Sequence, residues 1–395
     1  MVLLALTMAL GGAGCGSDAS SDGKSDDAAP IGEVVDLSSP GFHELLEPPI
    51  DGGESATRVW TGEELVLWGG IIPADDSAPG VIATNGATLD LTDGRWTEMA
   101  PSPFDDGLYH PLGAFDGDEV IFIGTQCDGE VPSVTVGGSP TCPKGPAAAA
   151  WSPETRTWRE LPVPPIPLDK YSDERVVEGM AVAVGGPGAA LFSFGFDVTT
   201  IAWDRATETW RTIEAPWSDP TAVAMYADRA TPQLVAVEGY LSNRSEVDPA
   251  TLWTMAAGDD SWAAVGEHDL GEVTLSVGEN ALVTSGSPSN ANAGHIIDLR
   301  SGDIAETLEP DPPDLLRSPT AVGPWLFSTT ELLDEQDDYV EVRRIDGGEW
   351  QRLEGLTSWS RGAYVGDGLV GYVFTEGKHT STSFGYWRAP PELLD

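Results

Sequence analysis

The chain has 395 residues, and its 64 Asp and Glu against 20 Lys and Arg give a formal charge of −44. That balance excludes phosphate-backbone binding, which needs a basic footprint, and adsorption to anionic lipid through a polybasic patch. A hydrophobic fraction of 41 % with 14 Trp excludes an acidic disordered chain, and 46 Gly with 31 Pro predict many turns and few long helices. Residues 2–14, VLLALTMALGGAG, form the one long apolar run. Thirteen residues are too few to cross a bilayer, and the run reads as the core of a secretory signal. From residue 15 to 40 the chain is predicted to be a disordered acidic tether, because GSDASSDGKSDDAAP cannot bury a core. Residues 16–40 hold six acids and one Lys, so most of the charge belongs to residues 41–395.

The small residues that run into Cys15, with a Ser/Asp/Gly tether behind them, resemble the lipobox of bacterial lipoproteins. The resemblance implies that residues 1–14 are a signal peptide, that Cys15 is lipidated, and that the protein is anchored to the outer face of a bacterial cell membrane. An ordinary export signal or anchor is the other reading of the same run. Export also bears on Cys127 and Cys142, which share the segment CDGEVPSVTVGGSPTC. Outside a reducing cytoplasm this pair is expected to form a disulfide. Closing such a loop is worth about 3 kcal/mol in the chain-entropy model. Metal ligation competes with that reading, but no His or second Cys pair stands at zinc-finger spacing.

From residue 41 onward one phrase recurs: an aromatic followed by polar residues and a Pro-rich exit. It begins as GFHELLEPP (41–49) and returns as GRWTEMAPSP (94–103), RTWRELPVPP (156–165), ETWRTIEAPW (208–217), DSWAAVGEHD (260–269), GDIAETLEPDPP (302–313) and GEWQRLEGLT (348–357). The anchors Phe42, Trp96, Trp158, Trp210, Trp262, Ile304 and Trp350 are spaced by about 51 residues on average, which marks a repeat architecture. A hairpin follows each anchor, at 58–70, 112–125, 180–195, 223–239, 273–286, 320–330 and 362–374. In each of them turn residues sit between β-branched and aromatic runs. A third strand precedes the anchor: Leu89 and Trp96, Trp151 and Trp158, and Trp203 and Trp210 all stand seven residues apart around a short polar turn.

Gly69-Gly70 after an apolar run, with an aromatic ahead of a Trp, resembles the kelch repeat, and the likeness covers residues 41–395. It implies an all-β fold, a seven-bladed kelch-like β-propeller with four strands per blade. The last repeat offers a hairpin (362–374) and a third strand (380–390) but lacks a fourth, while residues 42–49 are a fourth strand with no hairpin before them. The N-terminal strand is therefore predicted to complete the C-terminal blade and pair two exposed edges. Periodic placement assigns Trp96, Trp158, Trp210, Trp262 and Trp350, with Trp151 and Trp203, to the blade cores. Trp217, Trp325 and Trp359 lie outside the repeat and are read as equally able to face solvent.

Kelch-type propellers include a copper radical oxidase, whose site needs two His, two Tyr and a Cys crosslinked to one Tyr. Here His43, His110, His268, His295 and His379 are dispersed and do not match it. No catalytic set is assigned, and no cofactor is expected. Asp105-Asp106, Asp116-Gly117-Asp118, Asp259-Asp260 and 334–338 could offer hard oxygen ligands to Ca²⁺, but none has EF-hand spacing and solvated turns explain them as well. Arg58, His110 and Arg361 stand near inner-strand starts of three successive blades in a closed ring. They are the candidates for a channel-mouth site holding an anionic sugar or a peptide carboxylate. The expectation is a monomeric, exported, lipid-anchored binding or scaffolding module with a protein or glycan partner at the cell envelope. A glycan-active enzyme with a carboxylate-based site at the channel mouth is the alternative.

Overall fold

The structure, a computed structural model, describes residues 29–51, 56–72, 81–127, 144–166, 181–194, 199–217, 223–239, 249–270, 273–286, 294–308, 315–317, 319–332, 339–353, 356–375 and 382–394. The signal run, Cys15, Cys142, residues 334–338 and His379 lie outside them. Among the described residues no helix is long and apolar enough to cross a membrane.

Among the described residues, seven antiparallel sheets of four or five strands follow one another along the chain. The first comprises Thr57–Trp60, Glu64–Trp68, Gly86–Asp90 and Arg95–Glu98, hydrogen-bonded in that order. The second begins with Tyr109–Phe115, the third with Val182–Gly186, the fourth with Val223–Asp228 and the fifth with Val273–Gly278. In the sixth, both Leu315–Arg317 and Thr320–Val322 pair with Trp325–Leu332. The seventh runs Leu356–Tyr364, Gly368–Thr375 and Thr382–Arg388, and its outer edge is Gly41–Glu44 from the other end of the chain. Phe42 stands opposite Trp387 in that pairing, so the ring closes where the sequence predicts. First strands of neighbouring blades touch one another and surround a central axis. The protein is a seven-bladed β-propeller.

Strand alternation explains why the repeat is so apolar. In Glu64–Trp68, Leu65 and Leu67 face the seventh blade, while Val66 and Trp68 face the second. Both faces of such a strand are buried, so a nearly continuous apolar run replaces the usual in/out pattern. The core is accordingly divided into wedges, one at each of the seven seams between blades. Near the axis the first strands come too close for side chains. A Cβ on Gly185 would lie 2.0 Å from the Phe115 carbonyl oxygen, and one on Gly113 would lie 2.6 Å from Val59.

The seven-residue spacings resolve into direct cross-strand pairs, Leu89 with Trp96, Trp151 with Trp158, and Trp203 with Trp210. The turn between them needs a left-handed residue two positions before the anchor, found at Gly94, Arg156, Glu208 and Gly302 with φ of 70°, 55°, 52° and 77°. The anchors divide in burial. Trp96 and Trp262 are buried, but Trp158, Trp210 and Trp350 are half-buried, and the fully buried indoles are Trp68, Trp96, Trp151, Trp203, Trp325 and Trp387. Outer-strand anchors tie blades together by hydrogen bonding as well as by packing. The Nε1–H of Trp96, Trp158 and Trp210 donates to the carbonyls of Leu46, Ala100 and Pro162 in the exit of the preceding blade, at 2.9, 2.8 and 2.7 Å.

One open placement is resolved, and one expectation needs correction. Trp217 and Trp325 do not face solvent: Trp217 packs on Trp262 at 5.2 Å, and Trp325 on Trp387 at 5.4 Å. The Trp359 side chain is outside the described residues. Residues 31–37, expected to be part of a disordered tether, are docked on the propeller. Ile31 exchanges backbone hydrogen bonds with Trp96, the edge of the first blade, and the Val35 N–H donates to Asp93. Leu37 is buried in the wedge between the seventh and first blades, and Arg388 donates to its carbonyl.

Candidate functional site

Where the inner strands end and turn outward, five blades line a half-open cavity of about 270 Å³. Its wall is mostly apolar side chain and glycine backbone, including Val59, Trp60, Phe115, Val184, Pro187 and Tyr364. Two cations line it: Arg58 from the inner strand of the first blade and Arg229 from the inner hairpin turn of the fourth. No Asp, Glu or His stands among its described lining residues.

Arg229 is positioned by its neighbour. Asp228 ends the inner strand and is wholly buried. Its Oδ1 accepts the N–H groups of Ala230 and Thr231 at 3.1 and 3.0 Å and so shapes the turn. Its Oδ2 accepts the Asn280 N–H at 2.7 Å and the Gln233 amide at 3.2 Å. With both oxygens occupied, Asp228 leaves the adjacent guanidinium unpaired, and Arg229 has no ion-pair or hydrogen-bond partner among the described residues. The group opens to the lumen, yet the surrounding blades displace enough bulk water to hold its pKa below the usual arginine value. Arg58 lies with its guanidinium carbon 5.9 Å from the centre of the Tyr372 ring. Tyr364, on the seventh-blade side of the cavity, has its phenol pushed up mainly by burial and further by the nearby carboxylates Glu279, Asp367 and Asp228.

Of the channel-mouth candidates, Arg58, the second residue of its inner strand, lines this cavity. His110 and Arg361 lie on inner strands with their side chains outside the described residues. Arg229 is not visible to sequence reasoning, because an Arg in a hairpin turn reads as a solvated surface residue. The one available signal is that its turn belongs to an inner hairpin.

The acidic clusters are largely engaged with arginine or lysine. Asp106 pairs with Lys144, Asp118 with Arg205, and Asp260 with Arg211. Among the described residues no group of three His, Cys, Asp or Glu could hold a metal ion. Cys127 is buried beside Tyr109 and Ile82, and the expected partner Cys142 lies outside the described residues.

No protein-family model matches the sequence, and no curated protein matches it. Solved structures do match the fold. An oligogalacturonate lyase from Vibrio parahaemolyticus is similar at 12 % identity, covering 93 % of this chain and 100 % of that one, with a TM-score of 0.50. A fungal alcohol oxidase of the AA5 family, in complex with copper, is similar at 10 % identity over 89 % of this chain and 76 % of that one, with a TM-score of 0.48. The β-propeller domain of a protease from Pyrococcus furiosus is similar at 12 % identity over 88 % of this chain and 95 % of that one, with a TM-score of 0.47. At these identities the likeness defines the propeller fold alone.

Proposed function

We propose that this chain is an exported, kelch-like propeller that works as a binding module at the cell envelope, with the central cavity as its ligand site. The observation that carries the reading is the cavity itself. It is a half-open, largely apolar space with a few polar residues in its lining, a form that suits a small-ligand site. The described lining supplies two guanidinium groups and no carboxylate, which favours holding a ligand over the acid–base chemistry of the glycan-active alternative. Lipidation at Cys15, a Cys127–Cys142 disulfide closing a loop, and a glycan or protein partner outside the cytoplasm belong to the same proposal.

A binding screen of glycans and metabolites against the chain from residue 16 onward tests it. A ligand bound without turnover supports the module, and turnover supports the enzyme. If no ligand of either class binds, a structural envelope role replaces both. The anchor is tested separately by expressing the full chain in a bacterium fed labelled palmitate: the label is expected in the wild type and absent from Cys15→Ala. Equal label in both would rule out lipidation at Cys15.

A further inference from the structure

We propose that the cavity is an anion site, in which Arg229 takes the carboxylate of a small ligand whose apolar body lies against Trp60, Phe115 and Tyr364. This rests on the reading of the cavity as the ligand site and names the ligand class.

Several other arginines are paired with carboxylates. At the seams, Arg156 meets Glu64, Arg205 meets Asp116 and Asp118, and Arg343 meets Glu306, while within the seventh blade Arg388 meets Asp367. In a chain with 64 acids and only 20 cations, a carboxylate partner is easily found. Arg229 is next in sequence to one and is not paired with it. Asp228 spends both oxygens on the Ala230, Thr231 and Asn280 N–H groups and the Gln233 amide. The side chain is exposed on the cavity wall, and no described residue pairs with it. An incoming anion would supply the missing partner.

The wall then selects the kind of anion. A fully hydrated inorganic ion gains little from Val59, Ala114, Phe115, Val184 and Pro232, whereas a carboxylate on an apolar body buries that body against them. A guanidinium fork suits the two oxygens of a carboxylate. The volume sets the size. At about 270 Å³ the cavity admits a single ring or a short branched acid.

Titration calorimetry on the full chain, with sodium benzoate, benzamide and inorganic phosphate as probes, tests the proposal. Benzoate is expected to bind one per chain, and Arg229→Gln to weaken it by about tenfold or more, the loss of a charge-assisted pair. Arg229→Lys should recover part of that loss. Benzamide, which matches benzoate in shape without the charge, should bind at least about tenfold more weakly and be indifferent to Arg229→Gln. Melting of Arg229→Gln should match the wild type, since the side chain holds nothing in the fold. The proposal is overturned by benzoate affinity unchanged in Arg229→Gln, by benzamide binding as tightly as benzoate, by phosphate binding more tightly than benzoate, or by no benzoate binding. If the wider screen finds a neutral ligand indifferent to Arg229→Gln, the anion assignment fails while the binding-module reading stands.

Discussion

Two seams of the ring solve one problem differently. Between the second and third blades, Asp116 folds its hairpin by accepting the N–H groups of Asp118 and Glu119 at 3.1 and 2.9 Å. Arg205 then reaches across from the third blade to Asp116 at 3.4 Å and to Asp118. Between the fourth and fifth blades, Asp228 folds its hairpin in the same way, but its second oxygen is satisfied across the seam by the Asn280 N–H and, within the fourth blade, by the neutral Gln233 amide. Gln233 in turn reaches Asn280 Oδ1 at 3.2 Å. Both solutions cap the turn and bridge two blades. The first consumes an arginine as a staple. The second needs no cation, and that is why Arg229 is left for the lumen.

The difference can be broken at several points. The largest effect is expected from removing the ring closure on which both seams depend. The chain without residues 1–50 loses the Gly41–Glu44 strand and the docked Ile31 and Leu37. It should expose the edge of Thr382–Arg388 and aggregate, as light scattering after size exclusion would show. A monomeric product with unchanged melting would contradict closure by this strand. Next comes Asp228→Ala, which strips four donors of their acceptor in a buried site. It should lower unfolding stability by about 3 kcal/mol in urea titrations. Arg205→Met should cost less, about 1–2 kcal/mol, because the guanidinium is 31 % exposed even though Asp116 is fully buried. Arg229→Gln should change stability by less than about 0.5 kcal/mol. Equal losses in Arg205→Met and Arg229→Gln would erase the distinction between staple and spare cation.

The smallest effect concerns the staple between the first and second blades, where Glu64 pairs with Arg156 at 2.9 Å. Loss of water raises the Glu64 pKa above 4.5, and Arg156 only partly opposes it. A carboxyl raised in the folded state binds its proton more tightly folded than unfolded. Its contribution is therefore complete below about pH 4.5 and lost as pH rises through the folded value. Glu64→Gln should be as stable as the wild type or slightly more so at pH 7, with the gain vanishing in acid. A gain that grows toward low pH would reverse the sign.

The parts of this molecule that could be read from sequence are those fixed by neighbours along the chain. Trp151 opposite Trp158 and Trp203 opposite Trp210 follow from a short turn of constant length, which sets the cross-strand offset whatever the blade packs against. Seven hairpins and the orphan strand at residue 42 follow in the same way, since strand period and turn chemistry are local. Contacts between blades were not legible. Trp325 sits outside the repeat, yet it is buried because Trp387 and Tyr364 of the next blade close over it and the Leu393 carbonyl accepts its N–H at 3.1 Å. Leu37 looked like part of a polar tether, and only the wedge between the first and last blades gives it a place. Arg229 was hidden most completely. Its role depends on Asp228 being saturated by Asn280, which lies 52 residues further on.

The most direct test of the channel as a ligand site is a crystal structure of the protein grown with benzoate. Density is expected for one benzoate in the central cavity, its carboxylate within hydrogen-bonding distance of the Arg229 guanidinium and its ring against Trp60, Phe115 or Tyr364. Benzoate bound elsewhere, with only water beside Arg229, would contradict it.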